Sequence, residues 1–250
     1  MRPVPEEERL VILAADHRAR GVTTIERWDD LLGALRAALP LCDGLMATTR
    51  PLVELRDALA PGQTSWLSLN RTGLAGTPFE LDDRLVATCA RAADLGCDGV
   101  KHMIRIDRRD PVTARALELL GEVLEAARVL GLRTMIESLS WRDGAIDRSV
   151  DGVVGAAVIA HDLGADILKL SVPDAEPGRA RVDAVRRVVG SVGVPVLFLG
   201  GPRRDDREAL LAGIRDSMDG GAAGVAIGRA VYQDPNPAGM AKAITAIVHG

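Results

Sequence analysis

The sequence predicts a single (β/α)8 barrel over residues 1–250. Three observations favour this fold class: eight short apolar runs recur along the chain, helical patterns lie between them, and the composition does not change from one end to the other. Strands that alternate with helices build a parallel sheet covered by helices, and eight such units fit a closed barrel. The alternative is a doubly wound open sheet, but the first strand–helix turn, "AADHRARGV", has no GxGxxG phosphate loop.

The eight apolar runs are the predicted strands. They cover residues 10–16, 42–48, 65–70, 98–104, 132–138, 165–171, 194–200 and 222–228. Apolar residues recur at helical spacing in four segments between these runs, which predicts helices there. These segments are 79–96, 110–131, 152–164 and 206–221.

The composition excludes several classes of function. The net charge of −4, the lack of a basic block and the 2% aromatic content argue against nucleic acid as a partner. No apolar run approaches the roughly 18–20 residues that span a bilayer. The charged start, "MRPVPEEERL", lacks a signal-peptide core, so we expect a soluble, cytoplasmic protein without a membrane partner.

The cysteine and histidine patterns indicate no metal site. Cys42, Cys89 and Cys97 are odd in number and lack CxxC spacing, so we expect core residues rather than disulfides or zinc ligands. No HxH or HExxH pattern is present either. We therefore expect no metal and no cofactor.

Lysine is rare in this chain. Of 31 basic residues only Lys101, Lys169 and Lys242 are lysines. Lys169 lies within the apolar run "GADILKLSVP", although lysine is almost never fully buried unless it is paired or has a function. Because lysine can lose its proton and arginine cannot, these positions indicate a role specific to lysine.

The carboxyl ends of barrel strands are where active sites lie, and here they carry polar residues. These are Asp16, His17, Asn70, Lys101, His102, Arg105, Glu137, Lys169 and Ser171. Because side chains alternate along a strand, Lys101, Glu137 and Lys169 are predicted to meet inside the barrel. A register slip of one residue would undo this prediction.

Two neighbouring lysines in an apolar interior suggest covalent chemistry. A neutral amine attacks a carbonyl carbon, and both desolvation and a nearby cation favour the neutral form of a lysine. The fitting use is a Schiff base, whose iminium accepts electrons. The alternative is a structural network in which the two lysines are ion-paired with Glu137 and Asp16.

Glycine-rich ends of the last two strands indicate an anion site. The strands end in "FLGGPR" and "AIGRA", and loops after these strands commonly bind phosphate in barrels. Gly200, Gly201 and Gly228 would offer backbone N–H groups, with charge from Arg203 and Arg229. Alternatively, the glycines serve only tight turns.

These features together predict that the small-molecule partner is a carbonyl compound with a phosphate or another anionic group. The side chains expected to contact this substrate are Asn70, His17, Arg105 and Ser171.

The motifs resemble one family in sequence order. "AADHRARG", "CDGVKHMIRID", "MIESLSW", "GADILKLSVP" and "GVAIGRAVYQ" resemble segments of the class I, Schiff-base aldolases with a (β/α)8 barrel. The nearest likeness is to tagatose-1,6-bisphosphate and sulfofructose-phosphate aldolases. Deoxyribose-phosphate aldolases and archaeal-type fructose-bisphosphate aldolases are more distant, and actinobacterial aldolase-like barrels are also similar.

The resemblance implies roles for four residues. Lys169 matches the iminium-forming lysine and Lys101 the second lysine, which tunes it and contacts substrate. Glu137 matches the acid/base glutamate, and Asp16 the carboxylate that assists proton transfer. The chain departs from the sugar-bisphosphate aldolases in its shorter length and in "LFLGGPR", which leaves the substrate open.

We therefore expect a metal-independent aldolase that acts on a ketose or aldehyde, most simply a sugar phosphate. Three alternatives stay open: a Schiff-base transaldolase or biosynthetic condensing enzyme, a barrel isomerase without covalent chemistry, and a non-catalytic ligand-binding barrel. Association into a homo-oligomer is also left open.

Overall fold

Eight parallel strands close into a barrel. The computed structural model describes residues 9–21, 25–70, 77, 84–200 and 206–250. The barrel strands are β1 (Leu10–Ala15), β2 (Gly44–Ala47), β3 (Thr64–Ser68), β4 (Gly99–Ile106), β5 (Arg133–Arg142), β7 (Ile167–Leu170), β8 (Val196–Leu199) and β9 (Gly224–Ile227). The last strand pairs with the first, with Leu13 opposite Ile227. This closure confirms the barrel and excludes the open doubly wound sheet.

Helices cover the outside of the barrel. They are α1 (Trp28–Ala38), α2 (Thr49–Glu54), α3 (Cys89–Asp94), α4 (Val112–Val129), α5 (Val150–Asp162), α6 (Arg179–Val189), α7 (Arg207–Asp219), α8 (Arg229–Tyr232) and α9 (Pro237–His249). Side chains of Ser149, Asp206 and Asn236 accept N–H bonds in the first turns of α5, α7 and α9. No helix in the described ranges is long and apolar enough to cross a membrane.

The predicted helix at 79–96 is wrong over residues 84–88, the part before α3 that the structure describes. Only α3 (Cys89–Asp94) is helical in the described part of this range, and residues 78–83 lie outside the described residues. The N–H groups of Val86 and Ala87 both bond the carbonyl of Leu69. This contact with the end of β3 overrides the helical spacing of the apolar residues.

A short hairpin extends β5 beyond the barrel. β6 (Ala145–Ile146) pairs antiparallel with the end of β5. Asp143 and Gly144 form the turn with φ of 52° and 79°, a left-handed pair that Asp-Gly sequences favour. The hairpin was not predicted, although its dipeptide signal is present in the sequence.

Apolar side chains fill the lower half of the barrel. The interior cluster contains Ile12, Met46, Trp66, Met135, Ile167 and Leu197. Trp66 is fully buried, and its ring lies where a side chain at position 99 would be: a Cβ on Gly99 would come within 2.4 Å of it. These apolar side chains leave only the upper half of the barrel interior for polar side chains.

One histidine is buried outside this interior. His102 alternates with Lys101 and Met103 and shares the outer face of β4 with Ile104, so it does not line the site as the sequence had suggested. Burial, and then the charge of Lys101, lowers the pKa of His102 from 6.5 to about 3. The folded protein therefore holds this imidazole neutral.

The backbone at Gly224 tolerates no side chain. Its φ is +142°, and an added Cβ would lie 1.9 Å from the carbonyl oxygen of Leu10 in β1. We expect Gly224→Ala to lower the free energy of unfolding by about 3 kcal/mol or more. The control is Gly121→Ala, on the exposed face of α4 with nothing within 4 Å, which should gain up to about 1 kcal/mol. Urea unfolding followed by circular dichroism measures both; equal stabilities would contradict this account of barrel closure.

His102 should make stability depend on pH. Because its pKa is lowered in the folded state, the unfolded chain binds the proton first as the pH falls from 6.5 towards about 3. The stability that the neutral imidazole contributes is complete above pH 6.5. Below this pH the free energy of unfolding falls by up to about 1.4 kcal/mol per pH unit. His102→Leu should therefore show a flatter stability–pH curve than the wild type or His161→Leu, a change on the surface of α5. A slope unchanged in His102→Leu would refute the buried neutral imidazole.

Candidate active site

Four charged side chains meet in the upper half of the barrel interior. Lys101 lies on β4, Glu137 on β5 and Lys169 on β7, which are consecutive barrel strands, and Asp16 follows β1. The strand register places Glu137 opposite Lys169, and Met103 rather than Lys101 opposite Glu137. Glu137 and Lys169 therefore lie at one level, whereas Lys101 starts two residues earlier on β4 and its long side chain reaches the same carboxylate.

One carboxylate oxygen bridges the two lysines. Oε2 of Glu137 lies 2.5 Å from Nζ of Lys101 and 3.0 Å from Nζ of Lys169. Nζ of Lys101 also lies 3.3 Å from Oδ2 of Asp16. The exposed fraction is 0% for Lys101 and Asp16, 1% for Lys169 and 5% for Glu137. Two ammonium groups and two carboxylates thus compensate one another inside the barrel.

The network has a covered side and an open side. A cavity of about 260 Å³ at the barrel mouth is lined by Glu137, Lys169 and Met103, but its described lining includes neither Lys101 nor Asp16. A carbonyl compound in the cavity therefore meets Lys169 and Glu137 directly. Lys101 contacts Glu137 from outside this lining, and Asp16 contacts Lys101.

Two further side chains support the network, and the sequence had not indicated either. Ser68, at the end of β3, donates its hydroxyl to Oδ2 of Asp16 at 3.0 Å. The thioether of Met46 on β2 lies 3.9 Å from Nζ of Lys169. Strand alternation is the signal that would have found both, because Ser68 and Met46 have the inward parity of their strands.

Two expected substrate contacts lie elsewhere. The side chain of Asn70 donates to the carbonyl of Met103 at 2.6 Å and accepts from its N–H at 2.7 Å, so the amide is used to fix β4. Arg105 is buried, with its guanidinium 5.7 Å from the ring centre of Trp141 on the β5 extension. Neither residue is among those that line the cavity.

The cavity lining contains five of the residues that are expected to bind substrate or phosphate, namely His17, Ser171, Gly200, Gly228 and Arg229. A Cβ added at Gly200 would come within 2.2 Å of the Ile227 side chain. A Cβ added at Gly228 would come within 2.0 Å of the Ala14 carbonyl oxygen. Close packing between neighbouring strands therefore requires these glycines.

The remaining predicted anion-site residues are Gly201 and Arg203, and both lie outside the described residues.

The cavity mouth carries an excess of cationic side chains. Arg20, Arg148, Arg181 and Arg229 line it, whereas the acidic residues of its described lining are Glu137 and Asp174. Arg181 is held by Asp216 at 3.4 Å and by the carbonyl of Ala175 at 3.2 Å. Basic side chains therefore outnumber acidic ones in the described lining of the cavity.

The described residues offer no metal-binding cluster of three or more His, Cys, Asp or Glu side chains. The cysteines are free and buried, and burial raises the pKa of the Cys42 thiol to about 12. Cys42 is therefore neither a thiolate ligand nor a nucleophile at neutral pH.

Two of the sequence relatives match almost the whole chain. The 2-amino-3,7-dideoxy-D-threo-hept-6-ulosonate synthase of Halobacterium salinarum is 30% identical over 98% of this chain and 89% of that protein. A fructose-bisphosphate aldolase class 1 from the same organism is 26% identical over 99% of this chain and 93% of that protein.

Solved structures are similar over the same length. Cgl0159 from Corynebacterium glutamicum is 29% identical with a TM-score of 0.85, over 100% of this chain and 88% of that one. An archaeal fructose-1,6-bisphosphate aldolase has its catalytic lysine covalently bound to the carbinolamine intermediate. It is 25% identical with a TM-score of 0.78, over 100% of this chain and 97% of that one.

These similarities assign the enzyme class, because the sequence relatives are named aldolases and synthases and a structural neighbour carries a covalent lysine intermediate. The protein is an enzyme of the class I, Schiff-base aldolase type. The Cgl0159-like family profile matches residues 8–248, and the chain belongs to the Cgl0159-like family.

Proposed function

We propose that the protein makes or breaks a carbon–carbon bond of a phosphorylated carbonyl substrate through a Schiff base on Lys169. The observation that carries the proposal is the position of this amine. Lys169 is 1% exposed, yet it lines the cavity and lies 3.0 Å from the carboxylate of Glu137. A nucleophile within hydrogen-bond reach of its base is the arrangement that covalent catalysis requires.

The first step is a proton transfer within the network. The Lys169 ammonium gives one proton to Glu137, which leaves a neutral amine and a neutral carboxylic acid. The positive charge of Lys101, 2.5 Å from the same Glu137 oxygen, disfavours a second cation beside it. Asp16, 3.3 Å from Nζ of Lys101, keeps that charge on Lys101.

The neutral amine then attacks the carbonyl carbon. The carbonyl oxygen accepts the proton from Glu137, which forms the carbinolamine. Glu137 removes a second proton from the nitrogen and returns it to the departing hydroxyl, so water leaves and the iminium forms. We assign both transfers to Glu137 because it lines the cavity and lies 3.0 Å from Lys169.

Cleavage follows from the electron demand of the iminium. Glu137 accepts the proton of the hydroxyl group on the β-carbon, the bond between the α- and β-carbons breaks, and its electron pair forms the enamine. An aldehyde leaves. Protonation of the enamine and hydrolysis of the new iminium return the amine of Lys169 and release the second carbonyl product.

The arginines at the cavity mouth support an anionic substrate. Arg229 lies beside Gly228 at the end of β9, where barrels commonly hold a phosphate. Sugar phosphates are the simplest compounds that combine such an anion with a carbonyl group. Ketose bisphosphates of the tagatose type are candidates on the motif resemblance, and fructose 1,6-bisphosphate on the name of an aldolase relative.

A second candidate is the reverse, condensing reaction. Its support is the 30% identical relative, which is named a synthase. The Schiff base is common to both candidates. Incubation of the unreduced enzyme with a ketose donor and candidate aldehyde acceptors distinguishes them, because a condensing or transaldol enzyme forms a new carbon–carbon bond to the acceptor and releases that product, whereas a simple aldolase releases the donor fragment by hydrolysis.

Borohydride reduction should trap the covalent intermediate on Lys169. We expect intact-mass spectrometry with dihydroxyacetone phosphate and ketose bisphosphates to show one adduct, which peptide mapping places at Lys169. Lys169→Met should abolish the adduct and the activity. Lys242→Met, an exposed change on α9, should retain both. Full activity in Lys169→Met would instead favour a non-covalent isomerase, and no adduct in the wild type would favour a binding or structural role.

Glu137→Gln should separate proton transfer from substrate binding. The amide keeps the size of the side chain but removes its basicity, so we expect kcat to fall by about 10²–10⁴-fold. KM should change by less than about tenfold, because the arginines of the mouth are untouched. Steady-state kinetics measures both constants. A kcat within a factor of two of the wild type would remove Glu137 from the mechanism.

A further inference from the structure

We propose that Ser68 is a positioning residue of this reaction, whose hydroxyl orients the Asp16 carboxylate towards Lys101. The inference rests on the proposed Schiff-base function and extends it to a residue outside the cavity. Ser68 is 1% exposed and donates to Oδ2 of Asp16 at 3.0 Å. The same Oδ2 lies 3.3 Å from Nζ of Lys101. Serine and lysine thus converge on one oxygen atom.

The Ser68 hydrogen bond supports an aspartate whose cation, Lys101, is shared with Glu137. A fully buried carboxylate remains ionised only where donors or a cation replace the lost water. Lys101 also bonds Glu137, and its distance to Glu137, 2.5 Å, is shorter than its distance to Asp16. The Ser68 hydroxyl donates to the same Asp16 oxygen and so favours the ionised form of the carboxylate.

The charged groups around Asp16 come from several strands. Lys101 faces it from β4, and Glu137 and Lys169 lie beyond Lys101 on β5 and β7. His17, the next residue along the chain, has Nδ1 3.7 Å from Oδ1 of Asp16. Ser68 faces Asp16 from β3, and Met46 of β2 adds an apolar contact on the side of Lys169.

Ser68 acts on the chemistry through two other residues. An ionised Asp16 holds a proton on Lys101, and the Lys101 charge favours the neutral amine of Lys169. Without the hydroxyl, Asp16 protonates at a higher pH, and its ion pair with Lys101 weakens. The effect should therefore appear in kcat and its pH dependence rather than in KM.

The test compares two variants of nearly equal shape. Ser68→Thr keeps the hydroxyl and adds a methyl group. Ser68→Val differs from Ser68→Thr only in having a methyl group in place of the hydroxyl, so effects of size alone are nearly the same in both. The matched control is Ser65→Ala, on the same strand, which removes a serine hydroxyl bonded to Asp98 at 3.1 Å away from the cavity. The measurements are kcat and KM against pH, and the rate at which borohydride-trapped adduct forms on Lys169.

We expect Ser68→Val to lower kcat and the adduct rate about tenfold or more relative to Ser68→Thr, the effect of losing one hydrogen bond to a charged group. The acidic limb of its kcat profile should move to higher pH, while KM stays within about twofold. Ser65→Ala should behave as the wild type. Guanidinium unfolding of each variant checks that the comparison is made between folded proteins.

The outcomes separate the two proposals. If the wild type forms no adduct on Lys169, the proposed function fails and the role of Ser68 fails with it. If the wild type forms the adduct but Ser68→Val and Ser68→Thr share one rate and one pH profile, only the inference about Ser68 is overturned. A loss of unfolding free energy in Ser68→Val with unchanged kinetics would also overturn it, because the hydroxyl would then serve stability alone.

Discussion

A single oxygen atom of Glu137 is the point on which this active site depends. It accepts from both buried lysines, at 2.5 Å and 3.0 Å, and Asp16 balances the second positive charge. Removing one ion from water costs several kcal/mol even after relaxation, so two lysines remain in a barrel interior only with such compensation. The same contacts describe a structural ion-pair network. What distinguishes a reactive site is that Lys169 and Glu137 border a cavity while the other two members do not.

The scaffold holds this network through features remote from it. Trp66, packed against Gly99, fills the lower interior and leaves the polar groups only the upper end. The register of β4, β5 and β7 puts Glu137 level with Lys169. Asn70 bonds both backbone groups of Met103 and so fixes the strand that carries Lys101. Each of these contacts fixes the position of a strand that carries one of the charged groups, as the proposed proton transfers require.

The sequence predicted features that depend on local pattern. Apolar runs located all eight barrel strands, and alternation along them placed Lys101, Glu137 and Lys169 on one face. Features that depend on tertiary contacts escaped it. The segment at 85–87 bonds Leu69 instead of starting a helix. A serine inside an apolar strand, such as Ser68, looks like a small packing residue until Asp16 is seen beside it. Asn70 was expected at the substrate because nothing local shows that its amide is already occupied.

The central claim is that Lys169 bonds covalently to substrate while Glu137 accepts and donates the protons of the reaction. A crystal structure of the enzyme soaked with the compound that gives a trapped adduct tests it most directly. The account predicts continuous electron density from Nζ of Lys169 to a substrate carbon, with a Glu137 oxygen in hydrogen-bond contact with the carbinolamine. A substrate bound in the cavity with its carbonyl intact, and Lys169 still bonded only to Glu137, would contradict it.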